Sequence, residues 1–148
     1  MAEETVRVEL TQQRDYQLQV HFGGAAPDLL ADEPAPLGTG MGPSPVQLLA
    51  SAVGSCLADS LLFALRKFKQ KPEPITCSVE AVKGRNEQGR LRVVAIKAVL
   101  TLGVPGESIE HLGRVLEQFE AFCTVTQSVG QGIAIGVEVR DAAGVKLK

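Results

Sequence analysis

The chain lacks a basic excess. Its 15 Lys and Arg stand against 17 Asp and Glu, a formal net charge of −2, whereas a protein that grips nucleic acid needs clustered positive charge to displace counterions from the phosphates. Nucleic acid is therefore not an expected partner. A secretory signal is lacking as well: it requires a basic start followed by an apolar run, and Met1-Ala2-Glu3-Glu4 is acidic and leads straight into alternating residues. The expected location is the cytoplasm. Cysteine is scarce. Three residues, Cys56, Cys77 and Cys123, are an odd number without a CxxC pair, so they do not make a disulfide framework, and a reducing compartment would keep them as thiols. Two histidines without ligand spacing, His21 and His111, leave no zinc site, and neither a metal nor a cofactor is expected. The glycines of Leu37-Gly38-Thr39-Gly40-Met41-Gly42-Pro43 lack the lysine of a phosphate-binding GxxxxGK[ST] loop and its βαβ surroundings. They serve instead to turn the chain tightly.

What is present is the composition of an ordinary globular protein. With 148 residues, 45% hydrophobic and 22% charged, one domain spanning 1–148 around one core is expected, and no repeat or linker divides it. Val6, Val8 and Leu10 alternate with polar residues, and Tyr16, Leu18, Val20 and Phe22 do so again, which predicts paired strands turning near Arg14. His21 falls on the polar face of the second strand and reads as a solvated residue. After a proline- and glycine-rich loop with a short strand at Leu29-Leu30-Ala31, Ser44-Pro45 predicts an N-cap with proline at the first helical position.

The helix expected from Ser44 to about Lys69 is apolar nearly all round, apart from a seam of Gln47, Ser51, Ser55 and Asp59. The seam argues against a membrane span. One short chain has too few elements to cover such a helix, which predicts a homodimer that buries it. Alternation at Ile75, Cys77, Val79 and Ala81, a turn at Asn86-Glu87-Gln88-Gly89, and a long strand from Leu91 to Leu102 predict a hairpin. Ile109, Leu112, Leu116, Phe119 and Cys123 follow helical spacing, and Ile133, Ile135, Val137 and Val139 predict a closing strand. The fold class is α+β: an antiparallel sheet with a long central helix and a second amphipathic helix.

Chemistry, if the chain performs any, rests on Cys56 and Cys123. Cys56 lies about three turns into its helix, too deep for the helix terminus to favour a thiolate. Its helical neighbours Leu49, Ala52, Val53, Ser60 and Phe63 form an apolar face that disfavours ionisation. It is either a buried core cysteine or a reactive one with a positive partner supplied from elsewhere. Cys123 ends an amphipathic stripe and precedes the polar Thr124-Val125-Thr126-Gln127-Ser128, and it too is either a core or a functional residue. Cys77, between Ile75 and Val79, reads as packing. Nothing in the sequence ties a histidine to either candidate cysteine, which leaves little room for a Cys-His hydrolase.

Gly42-Pro43-Ser44-Pro45, Gln47-Leu48-Leu49-Ala50 and Gly54-Ser55-Cys56-Leu57, with Cys123-Thr124-Val125-Thr126-Gln127-Ser128 downstream, resemble the OsmC/Ohr proteins over nearly the whole chain. The resemblance implies an intertwined homodimer that reduces organic hydroperoxides. It implies that Cys56 is the peroxidatic cysteine and that Cys123 resolves its sulfenic acid as a disulfide. It further implies that Arg14, in the first hairpin turn, supplies the cation that the apolar face of Cys56 lacks, and that a dithiol recharges the pair. Two positions depart from the pattern: Val46 stands where the hydroperoxide-resistance branch has a glutamate paired with the arginine, and Thr124 stands where a proline commonly follows the second cysteine. The competing expectation is a non-enzymatic module that binds a small hydrophobic ligand or senses redox state.

Overall fold

The computed structural model describes residues 2–148 and has two compact units, one up to Leu48 and one from Leu49 to Lys148. In the first, β1 (Glu9–Arg14), β2 (Gln17–His21) and β3 (Leu29–Ala31) form an antiparallel sheet in the order β1-β2-β3. The hairpin turns where the alternation predicts, with Arg14 opposite Gln17. Asp15 takes a left-handed φ of 49°, a conformation that aspartate tolerates better than most residues, and its carbonyl accepts a bond from Gln12 Nε2 at 3.0 Å. The first strand is shorter than its alternation suggests. It begins only at Glu9, and Val6, Val8 and Leu10 are exposed, while Val20 of β2 and Ala31 of β3 are buried.

The loop that follows β3 hangs on one carboxylate. Asp32 is buried and accepts the backbone N–H of Glu33 at 2.8 Å, of Thr39 at 3.3 Å and of Met41 at 3.1 Å, together with the Thr39 hydroxyl at 2.7 Å. The Thr39 hydroxyl and then the amides of Met41, Glu33 and Thr39 hold its pKa below the usual carboxylate range against the opposing effect of burial. A depressed carboxylate stabilises the fold above the ordinary carboxylate range, and that contribution fades as pH falls through the folded-state value.

Helix α1 (Pro45–Lys67) opens with reciprocal bonds between Ser44 and Gln47: the Ser44 hydroxyl accepts the Gln47 N–H at 3.2 Å, and Gln47 Oε1 accepts the Ser44 N–H at 2.9 Å. This is a capping box, and it satisfies two donors that the first turn leaves free. The helix ends where Lys69 turns left-handed, with φ 58°, and donates its N–H to the Arg66 carbonyl at 2.8 Å.

In the second unit, β4 (Thr76–Arg85) and β5 (Leu91–Thr101) form the expected hairpin. Asn86 Oδ1 accepts the N–H of Gln88 and of Arg90 in its turn, at 3.1 and 2.9 Å. The closing strand β6 (Ala134–Arg140) lies beside β5, in register from Ala95 opposite Ala134 to Thr101 opposite Arg140, and runs parallel to it. The expectation of a wholly antiparallel sheet is corrected here. There are two three-stranded sheets, and the second has one parallel pair because the chain between β5 and β6 is long enough to carry a helical crossover.

That crossover holds α2 (Leu112–Gln118), a 3-10 turn at Phe119–Phe122 and α3 (Thr124–Val129), where the stripe predicts one amphipathic helix. The break lies at Cys123, whose backbone is extended (φ −81°, ψ 97°). Leu116, Phe119 and Cys123 nevertheless stay buried, because tightening to about three residues per turn keeps spacings of three and four on one side. The core gathers Val53, Leu57, Leu61 and Leu65 of α1, Ile96, Ala98 and Leu100 of β5, Val139 of β6, and Phe119 and Cys123 of the crossover. Gly54 lets α1 close on β4: a Cβ there would stand 2.7 Å from Val79 Cγ2 and 3.4 Å from Cys77 Sγ. Only one stripe of α1 is covered in this way. By length and composition the helix is apolar enough to cross a membrane, and it leaves Phe63 69% exposed.

Candidate active site

Two of the three residues expected to form the site meet in the second unit. Cys56 projects from α1, half-buried, and Cys123, fully buried, precedes the first residue of α3. The two thiols are neighbours, close enough for Cys56 to act on the ionisation of Cys123, and both are free. Sixty-odd residues of intervening chain bring them together because α1 and the 3-10 turn pack on the same core, Val53 and Leu57 from one side and Phe119 from the other.

The environment of Cys123 is informative. Its S–H donates to Thr126 Oγ1 at 2.9 Å, and its backbone N–H donates to the Glu120 carbonyl at 3.0 Å. Burial first, and the neighbouring Cys56 thiol second, push the Cys123 thiol up from its ordinary range, while the hydroxyl and N–H of Thr126 pull it down. A thiol that stays protonated at neutral pH is a poor first nucleophile. Beside a sulfenic acid it remains competent to condense, releasing water.

Upstream of Cys123, the segment is anchored by Lys148. Its ammonium donates to the Leu116 carbonyl at 2.8 Å, pairs with the Glu120 carboxylate, and stands 5.3 Å from the centre of the Phe119 ring. Glu120 thus sits between a fixed cation and the amide of Cys123. Sequence reasoning missed Lys148 and Thr126 as neighbours of the site, since neither belongs to the apolar periodicities that mark the elements.

Arg14 belongs to the first unit. It is exposed at the tip of the β1–β2 hairpin and forms no ion pair among the described residues. It borders a cavity of about 190 Å³ with Asp15, Gln17, Asp32, Leu37 and Thr39. Asp32 makes its hydrogen bonds to its own loop and does not replace the missing glutamate. Gln47, next to Val46, helps to cap α1.

Cys77 packs against Gly54, and burial raises its pKa. Replacing Cys77 with alanine should leave any peroxidase turnover intact and lower the urea midpoint slightly, and loss of turnover in a folded variant would transfer its role from packing to chemistry. His21 is exposed and bonded to Asp28 at 2.7 Å, whose hydrogen bond and charge raise its pKa. His111 stacks on Phe68 with ring centres 4.8 Å apart. Among the described residues no group of three His, Cys, Asp or Glu is placed to hold a metal ion.

The second unit is an α+β arrangement that holds a half-buried thiol, Cys56, and a buried one, Cys123. The family model of OsmC-like proteins matches residues 38–138, and the chain belongs to that family. The fold is shared with an OsmC-like protein of unknown function from Vibrio cholerae (19% identity, 93% of this chain and 99% of that one, TM-score 0.74). It is shared also with an organic hydroperoxide resistance protein from Elizabethkingia anophelis (17%, 95% and 99%, 0.72). A third similar structure is the organic hydroperoxide resistance protein OhrB of Bacillus subtilis (15%, 92% and 98%, 0.69). No curated protein sequence matches this chain.

Proposed function

We propose that the protein is a two-cysteine peroxidase that reduces organic hydroperoxides in the cytoplasm. The observation that carries this reading is the meeting of a half-buried Cys56 with a buried Cys123. The Cys56 thiolate attacks the outer peroxide oxygen. The O–O bond breaks, the alcohol leaves with a proton, and Cys56 is left as a sulfenic acid. The Cys123 sulfur then displaces water and forms the disulfide, which an external dithiol reduces. Arg14 is the cation that favours the Cys56 thiolate. The apolar neighbours of Cys56, including Leu57 and Leu49, suit an alkyl or lipid peroxide better than hydrogen peroxide. Steady consumption of cumene or tert-butyl hydroperoxide with dithiothreitol tests the assignment, and absence of turnover by the folded protein would overturn it.

The working form in this proposal is a homodimer. The helix α1 leaves Phe63 exposed and the first unit exposes Leu10, Tyr16 and Phe22, large apolar side chains that a second copy of the chain would cover. Light scattering at micromolar concentration should give twice the mass of one chain. A monomer would refute this part.

A second reading has its own support. A groove of about 290 Å³ is lined by Phe63, Phe68, Phe119 and Phe122 with Lys67 and Arg114 at its edge, a lining suited to a hydrophobic ligand. Ligand-dependent thermal stabilisation without peroxide turnover would favour a binding module.

A further inference from the structure

Three buried polar side chains stand out among the described residues: Asp32, Thr126 and Asp141. The two carboxylates are accounted for by backbone. Asp32 gathers its loop as described, and Asp141 accepts the N–H of Gly106, Ala143 and Val145, each at 2.9 Å. Thr126 differs. The residue is 6% exposed, its hydroxyl is bonded to no loop amide, and the partner of that hydroxyl is the Cys123 sulfur at 2.9 Å. A buried hydroxyl is costly unless it is bonded, so this one is held for that sulfur.

We propose that Thr126 is a catalytic residue of the reductive half-reaction, its hydroxyl stabilising the Cys123 sulfur as the leaving thiolate so that a dithiol reductant attacks at Cys56. The inference rests on the two-cysteine reading given above. The exposure of the two sulfurs sets the direction: Cys56 is half-buried and Cys123 fully buried. A reductant thiolate bonds to Cys56 Sγ, the Cys56–Cys123 bond breaks, and its electron pair passes to Cys123 Sγ. The sulfur receiving that charge is shut off from water, and a donor already in place must do what solvent does elsewhere. A hydroxyl suits both states, because it accepts the S–H of the thiol and turns to donate to the thiolate. Cys123 then takes a proton from the second thiol of the reductant. That second sulfur attacks its own chain's mixed disulfide, which releases Cys56 as a thiolate and the reductant as a cyclic disulfide. Attack on Cys123 would require the reductant to reach a sulfur with no exposed surface, and it would leave the hydroxyl without a charge to serve. The downward pull of Thr126 on the Cys123 thiol agrees with this role.

The test starts from the disulfide form made with diamide, so that it does not depend on peroxide. Thr126→Val removes the hydroxyl and keeps the branch, and Thr126→Ser restores a hydroxyl. Reduction by dithiothreitol should slow about three- to tenfold in the valine variant, since a hydrogen bond to a charged group is lost and a poorer thiolate leaves more slowly. The serine variant should stay near the wild-type rate. A brief pulse of cysteamine followed by alkylation should place the cysteamine on Cys56 and the alkyl label on Cys123, and the valine variant should scatter the two. Cysteamine found on Cys123 in the wild-type protein overturns the proposal whether or not the valine variant folds. So does a folded valine variant reduced at the wild-type rate. Failure of the peroxidase reading would look different: diamide would form a disulfide that hydroperoxides do not.

Discussion

Cys56→Ser should abolish hydroperoxide turnover, whereas Cys123→Ser should consume only the peroxide that oxidises Cys56 itself, first to the sulfenic and then to the sulfinic acid, and stop. The asymmetry follows from where the two thiols sit. Cys56 is half-buried on α1, whereas Cys77, also half-buried, packs against Gly54 and lies outside the proposed pair, and Cys123 has no exposed surface. Without Cys56 there is no sulfenic acid. Without Cys123 the sulfenic acid forms once and has no thiol beside it, so further peroxide drives it towards the sulfinic acid, which dithiols do not reverse. Intact-mass spectrometry separates these outcomes: no added oxygen at position 56 in the first variant, and one, then two, in the second. Continued turnover by Cys56→Ser would place the chemistry on another residue and remove the pair from the mechanism.

Arg14→Ala should slow peroxide reduction by one to two orders of magnitude, most visibly below about pH 8, because in the proposed mechanism its positive charge favours the ionised thiol over the neutral one. Its charge is unspent in the first unit. Val46 offers no carboxylate, and Asp32 is already engaged by Glu33, Thr39 and Met41. Arg14→Lys should rescue only in part, since a point charge orients a thiolate and a peroxide less well than a planar fork. The decisive measurement is the alkylation rate of Cys56 against pH in a Cys77→Ala, Cys123→Ala background, with and without Arg14. Superimposable profiles would take Arg14 out of the mechanism.

Much of the fold is legible in local signals. Ser44-Pro45-Val46-Gln47 spells out a capped helix, and the bonds between Ser44 and Gln47 are there. Alternation locates the β4–β5 hairpin nearly to its ends, because a sheet packed on one side requires apolar residues at every second position. Direction of pairing is a different kind of information. Ile133, Ile135, Val137 and Val139 present the same alternation whichever way the strand runs, so only the crossover decides that β6 is parallel to β5. The break at Cys123 was hidden for a related reason, since a stripe at spacings of three and four survives the change from α-helix to 3-10 turn. As for the site, no periodicity links Cys56 to Cys123; family resemblance paired them, and core packing brings them together. Thr126 has no role that the sequence can assign, because a hydroxyl's partner is a fact of three dimensions.

The parallel pairing of β6 bears on the order in which the chain assembles. The β4–β5 hairpin closes through the Asn86 turn and needs only neighbouring residues, a fast local event. β6 can dock on β5 only after the chain from Leu102 to Ile133 has been looped across, and such closure is entropically slow. Cys123 lies inside that loop. The two thiols are therefore unlinked during most of folding, and the cysteine pair comes into being with the last major docking step. An oxidant present before then meets Cys56 without its neighbour, so refolding under peroxide should yield overoxidised Cys56 in proportion to how long β6 takes to arrive.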